Sequence, residues 1–354
     1  MITVLGAGNI GYAIAMDLSK DNEVNVIDKS GDALSRIKNC KTFTGTIHDH
    51  MDIIEKSDVI VSALPGSVSY NVVKFLIEHG KNVVDISYMN EDPFILEDLV
   101  KQKGVTFIPD AGFAPGLSNI IAGYMYKFVE GIEKIQIYVG GVPKEPIPPL
   151  NYTITWNVEG LIDEYTRLAR IIRDNNLVTE DPLKEIEPYY IPNFKHMEAF
   201  YSDGLRTMIK TIKVKELFEK TLRYPGHLDK IKMLRDLGFF STDAIYNVTP
   251  REITIKLLEK LKLDAEDISI LEVKGFGKNS KEVFIFDSYD KDLKMSSMSR
   301  MTGFTASILA RMVLKEKIKG FVPPEVVGFD QSLYMEVISE LRKRKVKIDI
   351  LSRE

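Results

Sequence analysis

A short unbroken apolar run opens the chain, followed by a glycine-rich break and then an amphipathic stretch. The pattern predicts a buried strand at Met1 to Leu5, a turn at Gly6-Ala7-Gly8-Asn9-Ile10-Gly11 and a helix around Tyr12 to Ser19. A second apolar run, Glu23 to Ile27, ends at Asp28. Further β-rich runs at Lys41 to Thr44, Asp58 to Ala63, Lys81 to Asp85 and Val105 to Ile108 alternate with helical periodicity. Ser67 is expected to cap a helix over Val68 to His79, and Pro93 to open one over Phe94 to Lys103 before Gly104. Strands alternating with helices predict a parallel sheet of the doubly wound α/β, Rossmann class.

The pattern changes after Leu117. A helix, Leu117 to Val129, leads into a strand, Glu133 to Val139, and a stiff connector containing Pro146, Pro148 and Pro149. Amphipathic helices are expected near Val214 to Leu222 and Arg251 to Leu261, and a hairpin at Ile268 to Lys274 and Lys281 to Tyr289. These features predict an α+β second domain with a mixed or antiparallel sheet. Helices at Thr305 to Lys317 and Asp330 to Arg344 precede a strand at Val346 to Leu351. The expected division is 1–117 with 300–354 as the nucleotide domain and 118–299 as the substrate-binding and dimerisation domain. The hairpin's apolar face is the expected homodimer contact.

Composition narrows the classes. With 47 basic and 51 acidic residues the net charge is −4, and no segment gathers Lys and Arg as a nucleic-acid footprint would, so no nucleic-acid partner is expected. One cysteine, Cys40, excludes an internal disulfide and a Cys-rich metal site, which fits a reducing, cytoplasmic setting. No apolar run of about 18 residues predicts a membrane span. The five histidines lack metal-ligand spacing, and no Gly-x-Ser-x-Gly elbow points to hydrolysis.

The candidate chemistry lies at the strand ends. In the glycine turn, Gly6 permits the tight bend, Gly8 lets a pyrophosphate approach the backbone, and Gly11 allows close helix packing. Ala7, Asn9 and Ile10 complete the anion site at the helix N-terminus. Asp28 follows Gly11 at close to the roughly 20-residue offset of a ribose-binding acid, which predicts NAD in preference to NADP. Ala63, Leu64, Pro65 and Ser87 lie on the same carboxyl edge. So does Asp110-Ala111-Gly112-Phe113-Ala114-Pro115-Gly116, which offers a carboxylate beside the expected nicotinamide. Thr221 to His227 places a guanidinium, a phenol and an imidazole around one turn.

These residues resemble the saccharopine dehydrogenase-like family, most closely its lysine 6-dehydrogenase branch. The resemblance rests on the Gly6-Ala7-Gly8 fingerprint, Asp110 to Asn119, Trp156 to Tyr165, Glu198 to Thr207, Thr221 to His227, Met301 to Thr305 and Pro323-Pro324-Glu325. It implies that residues from about Met301 rejoin the nucleotide domain. It also implies oxidative deamination of the ε-amine of L-lysine, with NAD accepting hydride, to 2-aminoadipate 6-semialdehyde, which cyclises to piperideine-6-carboxylate. Many relatives carry Cys where this chain has Ala111, so no thiol acts there. The chemistry needs a base for the ammonium proton and a second proton transfer for imine hydrolysis, and Asp110, Tyr224, His196 and His227 are the candidates. Arg206 or Arg223 is the expected carboxylate anchor, and Tyr152, Trp156 and Tyr165 the wall along the methylene chain. A saccharopine or carboxynorspermidine reductase, and a nucleotide-binding sensor without turnover, stay open as alternatives.

Overall fold

The computed structural model describes every residue except 155–157, 192–193, 262, 264 and 354. Its first sheet holds six parallel strands: β1 (Ile2–Leu5), β2 (Val24–Asp28), β3 (Lys41–Thr44), β4 (Val59–Ser62), β5 (Asn82–Asp85) and β6 (Phe107–Ile108). Their order, β3-β2-β1-β4-β5-β6, is the doubly wound order, with the topological switch between β1 and β4. The apolar runs are continuous because helices cover both faces: every residue of β1 and β4 is buried. The helix after Pro65 begins at Gly66, and no side chain caps it, so Ser67 does not serve as its cap.

The second sheet has nine strands: β7 (Lys134–Pro143), β8 (Ala169–Arg173), β9 (Asn176–Glu180), β10 (Glu187–Tyr190), β11 (His196–Ser202), β12 (Glu216–Arg223), β13 (Asp267–Phe276), β14 (Ser280–Ser288) and β15 (Lys347–Arg353). Its main path is β10-β11-β12-β7-β13-β14-β15, with β8 and β9 hanging from β12. Only the β12–β7 contact in this path is parallel; the other pairs are antiparallel. The segment expected as a helix near Val214 to Leu222 is therefore a central strand. Its helix-like spacing arises because Glu219 and Lys220, on opposite faces of β12, are both buried, which hides the period of two.

The tail divides between the sheets. Helix Ser297–Leu314 packs on helix Asn9–Leu18, and Arg311 and Arg344 both bond Asp17, which ties the tail to the nucleotide domain. Helix Pro324–Gly328 lies so close to helix Leu117–Phe128 that a Cβ on Gly123 would stand 2.0 Å from the Glu325 carbonyl oxygen. The last strand, β15, does not rejoin the first sheet as expected; it pairs antiparallel with β14, while helix Pro324–Gly328 packs on helix Leu117–Phe128 and helix Ser297–Leu314 on the first helix of the nucleotide domain. The β13–β14 hairpin is also not a bare dimer face. Leu271, Val273, Val283 and Ile285 share one core with residues of helices Leu117–Phe128 and Ser297–Leu314, and β15 covers the outer edge of β14. No helix among the described residues is long and apolar enough to cross a membrane.

Candidate active site

The glycine turn makes the first part of the site. Gly6 has φ +97°, and a Cβ on Gly11 would fall 2.0 Å from the Gly6 carbonyl oxygen, so the turn closes only with these two glycines. A Cβ on Gly8 would meet nothing within 4 Å, which leaves backbone-wide space above the turn. Gly8 is the N-cap of the first helix and no side chain caps it, so its first N–H groups point at that space. These residues fit the pyrophosphate of a dinucleotide. A Cβ on Gly6 would stand 2.6 Å from the Ala63 carbonyl oxygen, so Ala63, Leu64 and Pro65 flank the turn as expected.

Asp28, at the tip of β2, accepts N–H bonds from Ala7 (2.5 Å) and Ser30 (2.7 Å), tying the strand tip to the glycine turn. A carboxylate there disfavours a 2′-phosphate. Arg36 lies beside it, however, with Nη1 on Asn9 Oδ1 and Nη2 on the Ala7 carbonyl, and a guanidinium at that corner favours one. Ser87 contacts Asp85: its Oγ donates to Oδ2 at 2.5 Å, while Ser69 Oγ donates to Oδ1 at 2.8 Å. The Asp85 carbonyl also receives the Ala111 N–H. The strand-end acid thus stitches the loops after β4, β5 and β6 together. Burial pushes its pKa up to about 6, against the pull of the hydroxyls of Ser87, Ser62 and Ser69.

Across the cleft the two domains meet in one cluster. Asp110, after β6, accepts both of its oxygens' bonds from Arg206 Nε, at 3.2 and 3.0 Å, and both side chains are buried. Both residues hold φ +50°, a conformation uncommon for non-glycine residues and one that turns their side chains toward each other here. Burial pushes the Asp110 carboxyl above the usual carboxylate range while the guanidinium pulls the other way. Arg206 Nη2 is buried without a hydrogen-bond partner among the described residues. Leaving such a donor unmet costs about 1–3 kcal/mol, which marks a place where a bound acceptor belongs.

Tyr88, on the loop after β5, completes the cluster. The Arg206 guanidinium lies 4.0 Å and that of Arg167 4.6 Å from its ring centre. Its hydroxyl donates to Asp203 Oδ2 at 2.9 Å, and Asp203 in turn accepts a bidentate pair from Arg170. Glu325 braces the segment that carries Arg206, accepting from Thr207 Oγ1 at 2.8 Å and Thr211 Oγ1 at 2.5 Å. Burial raises its pKa to about 7.

The other expected catalytic groups lie elsewhere. Tyr224 donates its hydroxyl to the carbonyls of Pro143 and Lys144, a backbone tie, and burial raises its pKa. His196 is exposed at the start of β11, edge-on to Tyr190. His227 is fully buried: Nδ1 donates to the Leu150 carbonyl, so Nε2 accepts from Tyr165, and burial lowers its pKa to about 3. A neutral imidazole with both nitrogens engaged is a structural joint, not a base facing substrate. Arg223 is equally committed, with Nε on the Tyr165 hydroxyl, Nη1 on the Leu222 carbonyl and Nη2 on Glu164 at 2.5 Å. Tyr165, between His227 and Arg223, belongs to this joint. Trp156 lies outside the described residues. Of the expected groups, Asp110 and Arg206 come together; Tyr88, Asp85, Asp203 and Glu325 were not singled out from the sequence.

A family model described as the saccharopine dehydrogenase NADP binding domain matches residues 2–108, and one described as the saccharopine dehydrogenase C-terminal domain matches residues 112–346. The NADP-dependent, L-glutamate-forming saccharopine dehydrogenase of Schizosaccharomyces pombe is 24% identical over 73% of this chain and 64% of its own length. An α-aminoadipic semialdehyde synthase of Arabidopsis thaliana is 26% identical over 54% of this chain and 19% of its own. The chain thus spans less than two thirds of the curated relatives it matches. Among solved structures, the apo saccharopine dehydrogenase of Saccharomyces cerevisiae superposes with a TM-score of 0.81 at 19% identity, covering 100% of this chain and 99% of that one. A homospermidine synthase of Legionella pneumophila in complex with NAD gives 0.68 at 14% identity, over 99% and 90% of the two chains.

Proposed function

Because the chain belongs to the saccharopine dehydrogenase family, we propose that it is an NAD-dependent oxidoreductase acting at an amino-acid C–N centre, and that its reaction is the oxidative ε-deamination of L-lysine. The observation that carries this reading is the buried Asp110 on the carboxyl edge of the nucleotide sheet, held by Arg206 from the opposite domain. A bound nicotinamide supplies the hydride acceptor. Asp110 takes the proton from the ε-ammonium, because hydride leaves only a carbon bearing a neutral amine. The iminium that results takes up water and releases ammonium, leaving the aldehyde; Asp110 then returns to its ionised state beside Arg206.

Arg206 and Asp110 touch, so they cannot hold the opposite ends of an extended lysine. In this reading Arg206 keeps Asp110 ionised, the Tyr88 ring lies along the methylene chain, and Arg167 takes the distal carboxylate. Arg167 is suited to this because its own ion pair with Asp163 is long, at 3.6 Å. In this reading Tyr88 takes the part expected of Tyr165, whose hydroxyl is engaged by His227 and Arg223.

One observation favours a second reading. The unpartnered Arg206 Nη2 stands next to Asp110, where lysine carries no carboxylate but a saccharopine-type secondary amine does, on the carbon beyond its nitrogen. NADH formation over a panel of L-lysine, saccharopine and cadaverine separates the readings. Lysine turnover with poor cadaverine turnover supports ε-deamination. Saccharopine turnover with none on lysine assigns the second reading, and no turnover on any amine removes both.

A further inference from the structure

The stretch from Met233 to Leu263 is built unlike the rest of the surface. Met233, Leu237, Phe239, Ile245, Tyr246, Val248, Ile253, Leu257 and Leu263 are all exposed, where a folded chain ordinarily turns such residues inward. They do not belong to a loose loop. Helix Pro250–Leu258 is tied to the segment that follows helix His227–Asp236, through Arg251 N–H on the Ser241 carbonyl and Thr254 Oγ1 on the Phe239 carbonyl. Between the helices, Ile245 and Val248 exchange both backbone hydrogen bonds, making a two-residue hairpin.

The tip of that hairpin is Tyr246-Asn247, at φ +50° and +66°. Such a turn favours Asn or Gly, and a bulky aromatic with positive φ is costly. Tyr246 nevertheless stands there 99% exposed, with its ring carried out into solvent. Ile253 and Leu257 lie one turn apart on the outer face of the second helix, while Thr254 and Leu258 face inward.

We infer that this helix–hairpin–helix unit is a self-association surface that seats a second copy of the chain about a two-fold axis, with Tyr246 as its anchor. The area matches. With roughly 200 Å² for each large side chain and the fractional exposures above, these residues offer on the order of 1,000 Å², against about 800 Å² per partner in a stable interface. Typical monomers leave no apolar patch of that size. The charges match as well. Arg235 is paired with Asp181, Arg251 with Asp163 and Lys256 with Glu259, while Glu252 caps its own helix, so the rim is nearly neutral and two copies do not repel. An isologous contact needs only that one patch be self-complementary.

Sedimentation velocity on the full chain at micromolar concentration tests this, with Tyr246→Asp combined with Leu257→Glu as the variant and Ile350→Glu combined with Leu351→Glu on the outer strand β15 as the control. All four positions are exposed, so the fold should survive substitution, and circular dichroism checks it. The parent should sediment at twice the chain mass. The Tyr246/Leu257 variant should dissociate at least about 30-fold more readily, as expected for an aromatic anchor, and the β15 control should stay dimeric. A monomeric parent, a variant as tightly dimeric as the parent, or dissociation of the β15 control alone would each overturn the proposal.

Discussion

The two sheets solve burial in opposite ways. The inner strands of the nucleotide sheet, β1, β2, β4, β5 and β6, carry no ionisable group before their carboxyl ends, where Asp28, Asp85 and Asp110 stand. In the second sheet the ionisable groups sit inside the strands: β12 alone buries Glu219, Lys220 and Arg223. A tip acid can be matched to a ligand without disturbing the core beneath it. A strand-interior charge must instead be matched by the fold itself, and this one does so with the Arg223–Glu164–Tyr165–His227 joint. Ionisable groups in the first domain are therefore expected to affect function, and those of the second to affect stability.

The largest expected departure is at Arg223. Arg223→Ala removes one partner of a buried pair and leaves Glu164 and Tyr165 facing a void, so unfolding in denaturant should show a loss of about 3–5 kcal/mol. If Arg223→Ala instead keeps its stability and only raises KM, the joint is a substrate site and the contrast between the domains fails.

Glu219 sharpens the same contrast through pH. Ser202 Oγ is its hydrogen-bond donor at 2.9 Å, its Oε2 has no partner, and burial raises its pKa to about 8. A carboxyl whose folded pKa is raised binds its proton more tightly in the folded state. Stability therefore falls as pH rises from the unfolded value through the folded one, a window from about 4.5 to about 8. Glu219→Gln should lose this slope and exceed the parent by at least about 1 kcal/mol above pH 8, each pKa unit being 1.36 kcal/mol. Thermal unfolding across that window checks it; parallel curves for the two proteins would show that the group is not held protonated.

The smallest effect belongs to a tip acid. Asp28→Ala should leave the unfolding temperature nearly unchanged and reduce preference for NAD over NADP by about 10-fold, or 1.4 kcal/mol. Calorimetric titration with both cofactors measures it. If the parent binds NADP as tightly as NAD or more tightly, Arg36 offsets or outweighs Asp28 and the preference for NAD fails.

The same contrast explains what the sequence could reveal. The nucleotide domain is readable because its inner strands are short buried runs alternating with helical periodicity and its glycine turn has a recognisable spelling. β12 was not, because burying charge on both faces erases the alternation that identifies a strand. Strand β15 was visible by its alternation, but nothing local names its partner, and β14 claims it. Asp110 stood out by position after β6. Tyr88 and Asp203 did not, because their contact joins residues 115 apart, and Glu325 meets Thr207 across 118. A signal existed in the Asp203-Gly204-Leu205-Arg206-Thr207 segment and in a glutamate set among prolines and valines at Glu325, but only the folded chain pairs them.

The central claim is that the Asp110–Arg206 pair at the domain junction carries amine oxidation, and Asp110→Asn tests it most directly. Steady-state NADH formation with the best amine of the panel, alongside calorimetric NAD binding, gives both quantities needed. The expected result is a fall in kcat of about 10²–10⁴-fold, the range of a lost general base, with NAD affinity within a few-fold of the parent. Turnover at the parental rate, or a loss that tracks weakened NAD binding alone, would contradict it.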